Sequence, residues 1–112
     1  MFESPLTSEK LEAILSSLRT GLEYLLGDQL EAVYLYGSHA RGDARPDSDI
    51  DVLVVLNGEF DYFNVIERTS KLTVDLSLEN DAVISLAFTS KEKFDHKMSP
   101  FLMIVRKEGF AV

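Results

Sequence analysis

Residues 34–56, YLYGSHARGDARPDSDIDVLVVL, contain most of the features that predict the fold. Residues 31–36 and Ile50–Leu56 are rich in aromatic and β-branched side chains, which are typical of strands. The thirteen residues between them hold two glycines, one proline and several charges, which predict a loop with one helical turn near Ala40 and Arg41. The stretch therefore predicts a strand, a polar loop and a second strand.

A helix is predicted before this stretch. Leucine and isoleucine side chains recur at intervals of three and four over residues 7–26, which places them on one face of a helix. Thr7 or Ser8 is suited to cap its first turn, and Gly27 to end it. The pattern predicts an amphipathic helix packed against the sheet.

Four more elements and a short final strand are predicted after residues 34–56. Asp61 is expected to cap a second long helix, and residues 82–88, AVISLAF, are expected to form a third strand. Ser90 is expected to cap a short helix, Pro100 to lie in the first turn of a last helix, and Gly109 to end it. The last three residues then complete a small mixed sheet.

The composition is that of a folded globular protein. With 46% hydrophobic and 27% charged residues in 112, the chain is expected to be one α/β (α+β) domain, residues 1–112, with a small mixed β-sheet flanked by helices. Its apolar runs are far shorter than the roughly 20 residues that cross a bilayer. Because the start MFESPLTSEK has no secretory signal pattern, a cytoplasmic location is expected.

The net charge and the cysteine content limit which partners and metal ligands are expected. The net charge is −8, with 19 acidic and 11 basic residues, and such a surface repels nucleic acid. A basic partner, or a small anionic substrate bound with the help of a cation, is favoured. The chain has no cysteine, so any metal ion must be bound by oxygen or histidine ligands.

Two carboxylates open the second predicted strand. Asp49 and Asp51 are two residues apart, so on a strand their side chains point to one face about 6–7 Å apart. Both can reach one Mg²⁺ ion, which prefers carboxylates, waters and phosphate oxygens as ligands. An Asp-x-Asp sequence by itself is common, and the prediction depends on what surrounds it.

The loop before the carboxylates carries groups suited to phosphate. Gly37 lets the backbone approach closely, and the Ser38 hydroxyl and nearby amides can donate hydrogen bonds. Arg41 and Arg45 offer forked donors, although they could equally be solvated or paired with acidic residues of the same loop. His39 is a candidate for contact with a phosphate or a base, and equally for an exposed position.

The combination of strand, Gly37-Ser38, ten residues, Asp49-Ile50-Asp51 and strand resembles the signature of the minimal nucleotidyltransferases of the DNA polymerase β superfamily. The resemblance implies a triphosphate bound by Gly37 and Ser38 with Arg41 nearby, and Mg²⁺ bound by Asp49 and Asp51. It also implies attack on the α-phosphate of ATP with release of pyrophosphate.

The chain departs from this family in one respect. The family usually has a third carboxylate on the third strand, where this chain aligns Ser85. Asp81, just before that strand, is expected to serve as the third metal ligand. Asp75 would be the third metal ligand if residues 72–78 formed one strand of a hairpin. The remaining alternative is that the chain has no third carboxylate.

The resemblance also implies a partner. Short chains of this family resemble the antitoxin of a two-protein module whose toxin is a helical HEPN ribonuclease, and the implied reaction transfers AMP from ATP to a tyrosine of that toxin. Two alternatives stay open at this point. The chain could neutralise its partner by binding alone, or it could modify a small molecule such as an aminoglycoside.

Overall fold

The computed structural model describes residues 8–112, so the predicted cap at Thr7 lies outside the described residues. Helices and strands alternate along most of the chain and agree with the predicted order. They are α1 (Ser8–Leu26), a single 3-10 turn (Gly27–Gln29), β1 (Leu30–Tyr36), α2 (Ser38–Arg41), β2 (Ile50–Leu56), α3 (Tyr62–Asn80), β3 (Ile84–Ser90), α4 (Lys91–His96), α5 (Pro100–Glu108) and β4 (Phe110–Ala111).

The four strands form one mixed sheet in the order β3-β2-β1-β4. β1 is antiparallel to both β2 and β4, and β2 is parallel to β3. This confirms the predicted α/β class with a small mixed sheet. The register places Tyr36 opposite Asp51 and Asp51 opposite Ser85, so these three side chains form a row across one face of the sheet.

Helices cover both faces of the sheet because its central strands are apolar on both sides. Side chains of β2 alternate between two buried clusters, with Val52 and Val54 facing α1 and α3 while Leu53 and Val55 face α4 and α5. In the second cluster Tyr34 stacks on Phe94 of α4, with ring centroids 4.9 Å apart. Two hydrophobic layers therefore hold the sheet in place. Within residues 8–112, none of the helices has the length and apolar character needed to cross a membrane.

Short polar side chains begin three of the helices, as the sequence indicated for two of them. Asp61 accepts hydrogen bonds from the Phe63 and Asn64 amides at the start of α3, and Ser90 accepts one from Lys93 at the start of α4. Ser99, whose role the sequence analysis did not assign, caps α5 directly before Pro100. These caps satisfy amides that the helices leave unpaired.

The third strand lies two residues later than predicted. α3 continues to Asn80, and Asp81 ends it with a left-handed backbone conformation, φ 49°, so the strand begins only at Ile84. The same long helix contains residues 72–78, so the hairpin alternative is wrong. Asp75 forms an ion pair with Lys71, one turn earlier on α3, at 2.6 Å.

Candidate active site

Asp49 and Asp51 lie together at the start of β2, as the sequence predicted. Burial raises the pKa of the Asp51 carboxyl, and the negative charge of Asp49 raises it further, while His39 and Arg41 act in the opposite direction. The two carboxylates are therefore close enough to repel each other. A divalent cation would relieve this repulsion, and hard carboxylate oxygens are ligands that Mg²⁺ prefers, so the pair suits that ion.

The glycine turn after β1 lies directly against this pair. Gly37 has φ +78°, and a Cβ atom built on it would lie 2.3 Å from Oδ2 of Asp51. Its carbonyl accepts hydrogen bonds from the Ala40 and Arg41 amides, which starts the single turn of α2 at Ser38. The structure thus brings the predicted phosphate-binding turn and the predicted metal ligand into contact.

Arg41, at the end of α2, faces two carboxylates. Its Nε lies 3.3 Å from Oδ2 of Asp43, and its Nη1 lies 3.5 Å from Oε2 of Glu108. Hydrogen bonding to Asp43, with smaller contributions that include Glu108, raises the pKa of the Arg41 guanidinium. Glu108 was not identified from the sequence, because α5 reaches α2 only through the packing of the whole domain.

Arg45 and Asp81 both line a groove of about 680 Å³ that also contains His39 and Asp47 and does not include Asp49 or Asp51. Among residues 8–112, no third His, Asp or Glu side chain joins Asp49 and Asp51 in one cluster. The expectation that Asp81 is the third metal ligand therefore has no support in this arrangement, in which Asp81 follows the last residue of α3.

Ser85 occupies the position on β3 next to the carboxylate pair. It is paired with Asp51 in the strand register, and its Oγ donates a hydrogen bond to Oδ2 of Asp49 at 3.3 Å. The alignment of Ser85 with the third carboxylate of the family is therefore consistent with the geometry. A hydroxyl is present where the resemblance implies a third carboxylate.

Tyr36 borders the site on the β1 side. It lies opposite Asp51, and its ring makes an edge contact with Phe101 of α5 at a centroid distance of 5.2 Å. Burial, followed by the charge of Asp51, raises the pKa of its phenol. The sequence suggested only packing for Tyr36, since its position next to Asp51 depends on the strand register.

Comparison with known families agrees with this geometry. The family model described as "Polymerase beta, Nucleotidyltransferase" matches residues 22–100, which include β1, the glycine turn, both aspartates and β3. The chain belongs to the polymerase β nucleotidyltransferase family. This confirms the resemblance drawn from Gly37-Ser38 and Asp49-Ile50-Asp51.

Two relatives in this nucleotidyltransferase family carry names that specify a protein acceptor. A Methanocaldococcus jannaschii protein named "putative protein adenylyltransferase" is 38% identical over 82 residues, which are 72% of this chain and 76% of that protein. The protein adenylyltransferase MntA of Thermococcus cleftensis is 32% identical over 85 residues, 76% of this chain and 84% of that protein.

Solved structures of nucleotidyltransferases share the fold. One contains a tri-AMPylated Shewanella oneidensis HEPN toxin in complex with its MNT antitoxin. The similarity has a TM-score of 0.53 at 18% identity and covers 95% of this chain and 71% of the matched chain. At this level of identity the comparison shows a common fold.

Proposed function

We propose that this nucleotidyltransferase transfers AMP from ATP to a side chain of a partner protein and thereby acts as an antitoxin. The observation that carries the proposal is the contact between the Gly37 turn and Asp51, with Asp49 beside it. This arrangement offers a phosphate-binding turn and two hard anionic ligands within one small site. The relatives named protein adenylyltransferase support a protein as the acceptor.

Asp49 and Asp51 would hold Mg²⁺, which when bound neutralises triphosphate charge and stabilises the charge that develops during transfer. The Ser38 hydroxyl and the amides of the Gly37 turn would donate hydrogen bonds to the phosphates. Arg41 would add a positive charge at the same end of the site, where its donors match phosphate oxygens. Positioning and charge stabilisation are the main requirements of phosphoryl transfer.

The acceptor oxygen would attack the α-phosphorus, the bond to the β-phosphate oxygen would break, and pyrophosphate would leave. The acceptor must also lose its proton. Ser85 cannot accept that proton as a carboxylate does, so an acceptor with a more acidic hydroxyl is favoured. A tyrosine, with an ordinary phenol pKa of about 10, meets this requirement better than an aliphatic hydroxyl.

The partner that suits this reaction is a helical HEPN-type toxin. The AMPylated HEPN toxin bound to an MNT antitoxin in the Shewanella oneidensis complex supports this choice. The net charge of −8 favours a basic partner, and a ribonuclease is expected to have a basic surface where it binds RNA. We place the reaction in the cytoplasm, where ATP and such a partner would meet.

The test is the intact mass of a HEPN-type partner protein after incubation with the chain, ATP and Mg²⁺. We expect the partner to gain the mass of one or more AMP units, and Asp49→Asn with Asp51→Asn to abolish the gain. A stable complex without any gain would indicate neutralisation by binding alone. Consumption of ATP that depends on an added aminoglycoside would instead indicate a small-molecule acceptor.

A further inference from the structure

Glu108, the last residue of α5, has an unusual environment beside the proposed nucleotide site. Its Oε2 atom is buried and makes no hydrogen bond within residues 8–112, although Arg41 Nη1 lies 3.5 Å away. A buried carboxylate oxygen without a hydrogen bond is unfavourable, so the nearby guanidinium is its main compensation. The contact therefore links α5 to α2 by charge.

The position of Glu108 is fixed by the backbone that follows it. The Gly109 amide donates to the Val105 carbonyl, and a Cβ atom on Gly109 would lie 3.3 Å from the Leu35 carbonyl oxygen. Phe110 then pairs with Leu35 in the sheet. The end of α5 is thus held against β1, two residues before Gly37.

Arg41 uses only part of its donor set in these contacts. Nε faces Asp43 and Nη1 faces Glu108, and neither contact involves Nη2. Because the guanidinium is planar and rigid, fixing two of its nitrogens also fixes the direction of the third. Arg41 ends the single turn of α2 that begins at Ser38, and its amide donates a hydrogen bond to the Gly37 carbonyl, so the oriented group lies beside the phosphate-binding turn.

We propose that Glu108 is a positioning residue that holds the Arg41 guanidinium in the orientation that binds a nucleotide phosphate. The inference rests on the proposed function, because it requires a nucleotide at this site. Asp43 contributes from the same loop as Arg41, whereas Glu108 contributes from a separate helix. The contact with Glu108 therefore fixes the Arg41 guanidinium relative to the rest of the domain.

The direction in which Glu108→Gln changes nucleotide affinity distinguishes a positioning role from a purely electrostatic one. Removing a negative charge near an anionic ligand strengthens binding if charge alone matters. If Glu108 positions Arg41, the same substitution weakens binding, by about three- to tenfold for a coupled pair of this kind. Glu92→Gln, on exposed α4, changes the net charge equally away from the site and is the matched control.

The experiment measures the Kd of a non-hydrolysable ATP analogue with Mg²⁺ by calorimetry for the wild type, E108Q, R41A, the double variant and E92Q. We expect E108Q to bind about three- to tenfold more weakly, E92Q to bind as the wild type does, and E108Q to add nothing in the R41A background. Thermal unfolding checks that each variant is folded. If E108Q is not folded, Glu108→Asp keeps the charge, shortens the reach and is expected to weaken binding as well.

Two results would overturn the inference. One is unchanged or tighter binding by a folded Glu108 variant, and the other is an equal loss of affinity with and without Arg41. Either result leaves the proposed function intact, because the wild type still binds the nucleotide. A wild-type chain that binds no nucleotide would overturn the proposed function, and the role of Glu108 with it.

Discussion

A Cβ atom on Gly37 would lie 2.3 Å from Oδ2 of Asp51, so the backbone of the glycine turn and the carboxylate of β2 are in direct contact. No side chain fits between them. The turn that is suited to phosphate and a carboxylate suited to a cation are therefore parts of one packed unit. A substitution at Gly37 must displace the carboxylate, the turn, or both.

We expect Gly37→Ala to lower both stability and activity. Its backbone, φ +78° and ψ −156°, is in a region that is largely restricted to glycine, so alanine costs about 1–3 kcal/mol there. Displacement of Asp51 by an ångström or so would lower the transfer rate by about a hundredfold. Thermal unfolding and the initial rate of AMP transfer measure the two effects.

Gly58→Ala is the matched control for backbone strain. Gly58 also has positive φ, +70°, but a Cβ atom there meets nothing within 4 Å. This variant should lose stability while its transfer rate stays near that of the wild type. Equal losses of rate in both variants would show that strain, and not the contact with Asp51, explains the effect of Gly37→Ala.

Asp51→Asn should remove activity while making the metal-free protein more stable. The substitution removes a cation ligand, and the loss of several kcal/mol of charge stabilisation corresponds to about a thousandfold in rate. It also removes an anion that is partly buried beside Asp49. We expect Tm to rise by roughly 1–3 °C, a small change because the carboxylate is still partly in contact with solvent. A lower Tm in Asp51→Asn would contradict this account of the pair.

The pH dependence of that stability difference follows from the sign of the pKa shift. The pKa of Asp51 is raised in the folded chain above its ordinary value of 3.8, so the folded state binds the proton more tightly than the unfolded state does. Stability due to this group is fully present below pH 3.8 and is lost as pH rises through the raised folded pKa. The Tm advantage of Asp51→Asn, measured with EDTA, should therefore be absent at low pH and grow through this window. A Tm advantage of Asp51→Asn that shrinks as pH rises would contradict a raised pKa of Asp51 in the folded chain.

Local chemistry explains why much of the fold could be predicted. The caps at Asp61 and Ser90 depend on hydrogen bonds to residues two or three positions away, and β2 begins and ends where its composition changes. Gly37 and Asp51 could be assigned to one site because a single polar loop joins the end of β1 to the start of β2. These features require little knowledge of distant parts of the chain.

Features that depend on packing could not be predicted. The sequence predicts the helix over residues 72–78, part of α3, which buries Val65, Thr69 and Leu76 on one face, but it does not predict the continuation to Asn80. The length of that helix is what leaves Asp81 outside the carboxylate pair. Glu108 reaches Arg41 only because α5 packs on the sheet, and no local pattern indicates such a contact.

The last prediction concerns the missing third carboxylate. Ser85 lies opposite Asp51 and donates a hydrogen bond to Asp49, so Ser85→Asp would place a third carboxylate against the pair. Without metal, the added repulsion should lower Tm by a few degrees, roughly 2–6 °C. With Mg²⁺, ion binding to the folded state should recover that loss, and a base near the acceptor should raise the transfer rate by about ten- to a hundredfold.

Ser90→Asp is the control for Ser85→Asp, because it adds the same charge at the other end of β3. Ser90 caps α4, and aspartate is also a good cap, so this variant should keep its stability and show no dependence on Mg²⁺ beyond that of the wild type. If Ser85→Asp is destabilised equally with and without Mg²⁺ and gains no activity, its carboxylate does not share a cation with Asp49 and Asp51. If Mg²⁺ restores its stability and the rate rises, the wild-type chain works with two carboxylates at a site that accepts three, and a readily ionised acceptor such as tyrosine compensates for the difference.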